Sequence, residues 1–544
     1  METTSLRRES SGQSDNVGFD AVVVGAGFAG LFMLHRLRQR GLRVLVLEAG
    51  SDIGGTWFWN RYPGARCDVE SVDYSYSFSE ELEQEWDWSE RFATQPEILS
   101  YIHHVADRFN LRADIRLESR VESAVYDDVA NFWTVTVDGG HAVTSRFCIM
   151  ATGCLSVPRI PDFEGVGEFR GEILHTGDWP HDKMSFEGKR VGVIGTGSSG
   201  TQLIPIVAAD ARELVVFQRT PNFTVPANNG PIDANYLQSV KADYRRRREI
   251  ARNSATGLIR DMNRISAIEV SAEERRRIYE DNFKTAGFGF ILSFSDLLLS
   301  REANQTAVDF LHSKTRELID DPELSAKLTD TDYPFGSKRP CVDTNFHASF
   351  TRPNVSLVDV KAEKIVAITP AGIRTIRMEY ELDMIVFATG FDAMTGALNG
   401  IDIRGRHGDK LSDRWSEGPS TYLGLAVSGF PNLLMITGPG SPSVLTNVLV
   451  SIEQHVDWID TLMAHMSASG FEAVEADLDA ETNWTEHVSA IAYETLYPVG
   501  SSWYLGPEVL GKRRSFMPYT GGLRAYRRKC KAVVADGYEG FALK

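Results

Sequence analysis

The chain has 544 residues, 42% hydrophobic and 24% charged, the balance of an ordinary globular protein of about three to four domains, which excludes collagen-like, low-complexity and wholly disordered classes. With 57 basic against 74 acidic side chains the formal charge is −17, which repels nucleic acid and anionic membrane surfaces at long range. No run of 18 apolar residues is present to span a membrane, and five cysteines without a C-x-x-C pair exclude a disulfide framework and zinc ribbons and fit a reducing, cytoplasmic setting.

Residues 1–17 are polar, lack the apolar core of a secretory signal and read as a solvated tail. The run Phe19 to Val24 predicts a buried strand, and it leads into Gly25-Ala26-Gly27-Phe28-Ala29-Gly30. Leu31, Leu34 and Leu37 then predict one face of a helix that Gly41 stops, and a second strand, Arg43 to Leu47, ends at Glu48. This is a β-α-β unit with a G-x-G-x-x-G turn. The first glycine makes the turn, the second admits a pyrophosphate to the backbone, and the third lets helix pack on strand, with free N–H groups facing the anion. Glu48, 18 positions after Gly30, suits ribose hydroxyls and repels a 2′-phosphate, so this site is expected to hold an unphosphorylated adenosine, as in FAD.

About 170 residues later the pattern recurs. Strand Arg190 to Ile194 leads into Gly195-Thr196-Gly197-Ser198-Ser199-Gly200, and strand Leu214 to Phe217 leads into Gln218-Arg219-Thr220. Arg219 stands where Glu48 stood, and a guanidinium there suits the 2′-phosphate of NADPH. Two Ala-Thr-Gly turns, at 151–153 and 388–390, each follow an apolar strand and mark crossings between domains. Residues 226–335 are rich in Arg, Glu and Ala and predict helices; the basic runs Arg245 to Arg248 and Arg275 to Arg277 are expected to face solvent. The expected fold is α/β, with two Rossmann-like dinucleotide-binding domains and a helical insertion. The boundaries are 18–152 with 388–544 for FAD, 153–225 with 336–387 for NADP, and 226–335 for the insertion.

Two dinucleotides on one chain imply hydride transfer between them. A disulfide reductase would need two closely spaced cysteines after the first unit, where only Cys67 stands; G-x-S-x-G and H-E-x-x-H are absent. The segment Phe169-Arg170-Gly171-Glu172-Ile173-Leu174-His175-Thr176-Gly177-Asp178-Trp179-Pro180 matches F-x-G-x-x-x-H-x-x-x-W-P, and Gly54-Gly55-Thr56-Trp57, Tyr62-Pro63-Gly64 and Asp68 form a second pattern. On these residues the chain resembles the type I Baeyer–Villiger monooxygenases from about Asp20 to its end, most of all the branch with phenylacetone and steroid monooxygenases.

That resemblance implies an FAD enzyme in which NADPH reduces the flavin, O2 gives a C4a-peroxide, and the peroxide converts a ketone to an ester or lactone. Bulky, cyclic or aryl ketones are the expected substrates, with sulfoxidation as a side activity. It implies that Arg339 is the active-site cation and that Asp68 orients it. It places Gly25, Gly27, Gly30, Glu48, Gly55, Thr56, Trp57, Asp68, Tyr74, Val121 and Val448 at FAD. It places Arg66, Gly195, Thr196, Gly197, Ser198, Ser199, Gly200, Arg219, Thr220, Lys338, Arg339 and Trp503 at NADP, and Ser443, Val444 and Leu445 at the substrate pocket. His175 and Trp179 are read as structural or domain-coupling residues. Cys154 and the 341–350 stretch depart from the family pattern. No metal is expected, and the chain is expected to be a monomer or weak oligomer. An amine- or sulfide-oxidising flavin monooxygenase would leave Arg339 with Asp68 unexplained, and an NADP(H)-binding sensor would leave two nucleotide folds beside a cationic site unexplained.

Overall fold

The computed structural model describes residues 18–260, 262–285, 287–500, 502–506 and 515–544, so the tail expected at 1–17 lies outside the described residues. Two sheets carry the architecture. The larger has strand order Asp402–Arg404, Val121–Asp127, Phe132–Val137, Ala142–Met150, Phe19–Val24, Val44–Leu47 and Ile115–Arg116, with Leu433–Met435 paired to Ala142–Met150. Its centre, Phe19–Val24, pairs in parallel with Val44–Leu47 and Ala142–Met150. Such a strand is buried on both faces, and Ala21 to Val23 are fully inaccessible.

The helix after the first glycine turn runs Phe28–Gln39 and buries Leu31, Leu34 and Leu37; Gly41, at φ +75°, ends it. That helix packs beneath helix Val448–Ser469 from the far end of the chain, so one core joins the two ends.

The second sheet is parallel throughout, in the order Val355–Asp359, Glu213–Gln218, Arg190–Ile194, Met384–Phe387 and Glu172–His175. Helix Ser198–Asp210 covers it. A three-stranded antiparallel sheet, Ile365–Thr369, Gly372–Thr375 and Glu379–Glu381, packs nearby.

Residues 226–335 carry helices Ala234–Asn253, Ala272–Thr285, Arg301–Leu318 and Pro322–Thr329. Helices Ala272–Thr285 and Arg301–Leu318 share an aromatic-rich core with Phe290, Phe294 and Phe335, whereas Pro322–Thr329 sends Leu328 into the core of the second sheet. Helix Ala234–Asn253 instead sends Val240 and Tyr244 into the core under the first sheet. This corrects the expectation for the basic run at 245–248. Arg245 and Arg246 face solvent, but Arg248 is 5% exposed and donates to Glu83, Ser75 and the Asp73 and Tyr76 carbonyls. Arg247 is bidentate on Asp73. One helical turn places consecutive arginines on different faces, and the carboxylates that receive the inward pair lie more than 160 positions away in sequence.

Candidate active site

The glycine turns are closed by contacts that leave no room for side chains. A Cβ on Gly30 would fall 1.8 Å from the Gly25 carbonyl oxygen, and one on Gly25, at φ +104°, 2.7 Å from the Ala151 oxygen. In the second turn a Cβ on Gly200 would lie 2.3 Å from the Gly195 oxygen. Gly27 and Gly55 touch backbone to backbone: a Cβ on Gly55 would lie 2.9 Å from the Gly27 Cα. Beside Gly197 nothing lies within 4 Å of where a Cβ would point, so that turn is open on one side.

Glu48 is 4% exposed and accepts the Ala26 N–H at 2.7 Å and the Gly50 N–H at 2.8 Å, which fixes the carboxylate across the mouth of the first turn. Its remaining lone pairs suit ribose hydroxyls. Trp57 donates its indole N–H to the Tyr74 hydroxyl at 3.2 Å, and both side chains are buried. Thr56 is exposed at the start of the short helix Thr56–Trp59. Val448 opens helix Val448–Ser469, which the Asn447 side chain caps by accepting the Leu449 N–H. Val121 begins its strand inside an apolar cluster with Val22 and Leu45, so it offers only van der Waals surface.

At the second site Thr196 donates to Gln218, and more weakly to the Thr220 carbonyl; Ser199 accepts from Thr176. Arg219 is exposed and makes no ion pair among the described residues. Lys338 also lacks a carboxylate within ion-pairing distance among the described residues, and its Nζ sits 4.0 Å from the Tyr333 ring centre. Burial, with the nearby charges of Arg219 and Lys361, pushes its pKa down to about 8 against the pull of Asp332. Two cations near enough to feel each other's charge, neither in an ion pair among the described residues, suit a phosphate dianion. Arg66, by contrast, already donates to Glu90 and the Phe92 carbonyl.

The pair to which the family resemblance points is formed. Arg339 donates through Nε and Nη2 to both oxygens of Asp68, the second bond at 2.9 Å, and through Nη1 to the Val444 carbonyl at 2.7 Å. The Arg339 side chain keeps 16% of its accessible surface, and the Phe288 ring lies 4.4 Å from its guanidinium carbon. Burial alone would lower the pKa of Arg339, but the charge and hydrogen bonds of Asp68 outweigh it, so the guanidinium holds its proton more firmly than in water. Three of the five guanidinium N–H groups are engaged, which leaves one on each terminal nitrogen.

Ser443 is fully buried at φ +41° and donates to the Cys154 thiol at 3.5 Å. Val444, Leu445, Tyr497, Trp503 and Tyr504 form one apolar cluster with Cys154, and the Trp503 and Tyr504 rings lie 4.4 Å apart. In the 341–350 stretch the Cys341 thiol rests 3.8 Å from the Ser198 hydroxyl, and Asp343 and His347 form a buried pair. His175 and Trp179 are buried; the His175 Nδ1 accepts the Gly177 N–H. Phe288, Tyr504 and Gln202 stand at the site without a sequence signal; an aromatic or an amide in a helical run reads as packing.

The fold and site define a two-dinucleotide oxidoreductase. The family model described as "Pyridine nucleotide-disulphide oxidoreductase" matches residues 22–317. All five cysteines are free, and burial pushes the Cys67 thiol pKa well up, so the match reflects the fold rather than dithiol chemistry. A Baeyer–Villiger monooxygenase of Pseudooceanicola batsensis is 41% identical over 96% of this chain and 95% of its own length. A phenazine N-monooxygenase of Lysobacter antibioticus is 41% identical over 97% of this chain and 98% of its own. The structure titled "Oxidized steroid monooxygenase bound to NADP" superposes with a TM-score of 0.93 at 49% identity, covering 97% of this chain and 99% of that one. The chain belongs to the Baeyer–Villiger monooxygenase family.

Proposed function

We propose that this chain holds FAD at its first glycine turn and NADPH at its second, and uses O2 to place one oxygen atom beside a ketone carbonyl, giving an ester or lactone. The observation that carries the reading is the half-buried, bidentate Arg339–Asp68 pair, which joins segments 271 positions apart. FAD, once reduced by NADPH, supplies the O2 activation that side chains cannot perform. Gly27 with Gly55, Glu48, Thr56, Trp57 and Tyr74 fit the flavin nucleotide, with Gly25, Gly30, Val121 and Val448 shaping the walls. Gly195 to Gly200, Arg219, Thr220 and Lys338 fit the phosphorylated one, and Trp503 and Arg66 border it.

Arg339 supplies a fixed cation where negative charge develops on the reacting oxygens. Its two remaining N–H groups are the donors it can offer. Asp68 and the Val444 carbonyl hold the guanidinium plane, so little reorganisation is needed during reaction. Phe288 and Tyr504 keep water from the cation and so strengthen its field.

The domain division read from the sequence is proposed with one refinement, that helix Ala234–Asn253 travels with the FAD-binding part. Phe288 beside the Arg339 guanidinium, and the apolar cluster of Leu445, Tyr497 and Trp503 around Val444, support a preference for bulky, cyclic or aryl ketones. Heteroatom oxygenation is a second reading, favoured by the similarity to a phenazine N-monooxygenase. No helix among the described residues is long and apolar enough to cross a membrane. We further propose a cytoplasmic monomer or weak oligomer without nucleic-acid partners.

Gly30→Ala drives a methyl group into the Gly25 carbonyl and is expected to yield protein without bound flavin, read from the absorbance spectrum; a fully yellow variant would contradict the assignment. Lys338 is cationic below its pKa of about 8 and loses that charge above it. The KM for NADPH is therefore expected to rise above pH 8 while that for NADH stays flat, and Lys338→Met should remove the difference in slope.

A further inference from the structure

The segment 62–68 leaves one nucleotide fold and ends at the other. Tyr62 and Ala65 are buried in the core of the second sheet, against Leu203, Ile204 and Val207 of helix Ser198–Asp210. Yet the Gln95 N–H donates to the Ala65 carbonyl, the Cys67 N–H donates to the Ala93 carbonyl, and Asp68 is the partner of Arg339. One side chain of that helix fastens the segment. Gln202 accepts the Tyr62 hydroxyl at 2.6 Å and the Arg66 N–H at 3.4 Å with Oε1, and donates to the Arg66 carbonyl at 3.0 Å with Nε2. The backbones also meet: Gly64 has φ +87°, and a Cβ there would fall 2.4 Å from the Gln202 carbonyl oxygen. The same helix touches the other half of the pair, since Ser198 contacts Cys341, two residues beyond Arg339.

We propose that Gln202 is a positioning residue for the oxygenation site. By clamping Arg66 from both its N–H and its carbonyl, it fixes where Asp68 stands relative to helix Ser198–Asp210, and through Asp68 it sets the plane of Arg339. The helix whose first turn receives the pyridine nucleotide is thereby the common platform for Asp68 and Arg339. This rests on the proposed roles of those two residues.

The test uses the flavin-loaded full chain with Gln202→Leu, which removes all three bonds at similar volume, and Tyr62→Phe, which removes one. Three quantities are read: hydrogen–deuterium exchange of amides 65–68, the dissociation constant for NADP+, and the fraction of consumed NADPH that appears as ester rather than hydrogen peroxide. In Gln202→Leu, exchange is expected to quicken about tenfold and the ester fraction to fall about fivefold or more, with FAD content and NADP+ affinity within about twofold of the parent. Tyr62→Phe should show the same changes at smaller size, and it keeps the proposal testable if the leucine variant does not fold. Unchanged exchange and ester fraction in either folded variant would overturn the clamp. Equal losses of flavin, NADP+ and ester would also overturn it, since they would mark plain structural damage. If the parent enzyme makes no ester from any ketone, the functional reading fails instead, and the exchange data still decide the clamp.

Discussion

Arg339→Ala is expected to retain FAD and to lose ester formation by roughly 10²- to 10³-fold, the usual cost of removing one preorganised donor that stabilises a developing oxyanion. The side chain reaches toward the junction of the two folds, and its partners are Asp68 and the Val444 carbonyl, so nothing in the flavin turn depends on it. Arg339→Lys should recover little. An ammonium is a point charge that cannot span both Asp68 oxygens while also reaching the Val444 carbonyl. Asp68→Asn keeps the cation but weakens its fixation and should fall between the parent and the alanine variant. Product mass at saturating NADPH, with flavin content measured on the same samples, checks the series. Undiminished ester from Arg339→Ala would remove the assigned role.

Arg219→Ala is the second large effect. Loss of a charge-assisted bond to a phosphate costs about 1.5–3 kcal/mol, which corresponds to about 10- to 150-fold in affinity. That loss should fall on NADPH and spare NADH, which carries no 2′-phosphate. The double variant with Lys338→Met should approach equal use of the two cofactors, because these two cations lie close enough for Arg219 to lower the Lys338 pKa. Steady-state kcat/KM for both cofactors checks it; equal loss for both would place the phosphate elsewhere.

Much of this was legible before the fold was seen, for physical reasons. A glycine turn between a parallel strand and a helix is a local object, so Gly25, Gly30, Gly195 and Gly200 can be read from six residues each, and the close contacts found at them are the ones their spacing implies. The residue ending the next strand, Glu48 or Arg219, is equally local. Asp68 with Arg339 was reached only through family resemblance, because the two residues stand 271 positions apart and no periodicity joins them. Gln202 and Phe288 escaped for the same reason, since their importance lies in what they touch across the chain. The run at 245–248 differs from its sequence pattern because charge on a helix does not by itself mean exposure; Arg248 is buried by a carboxylate and carbonyls that only the tertiary fold supplies.

The most direct test of the central claim supplies the purified yellow protein with NADPH, a panel of cyclic and aryl ketones and heavy-isotope O2, and weighs the products. One labelled oxygen atom in the ester or lactone, with its formation lost in Arg339→Ala, is the predicted result. Consumption of NADPH with no labelled ester from any ketone would contradict it, as would a product whose new oxygen came from water.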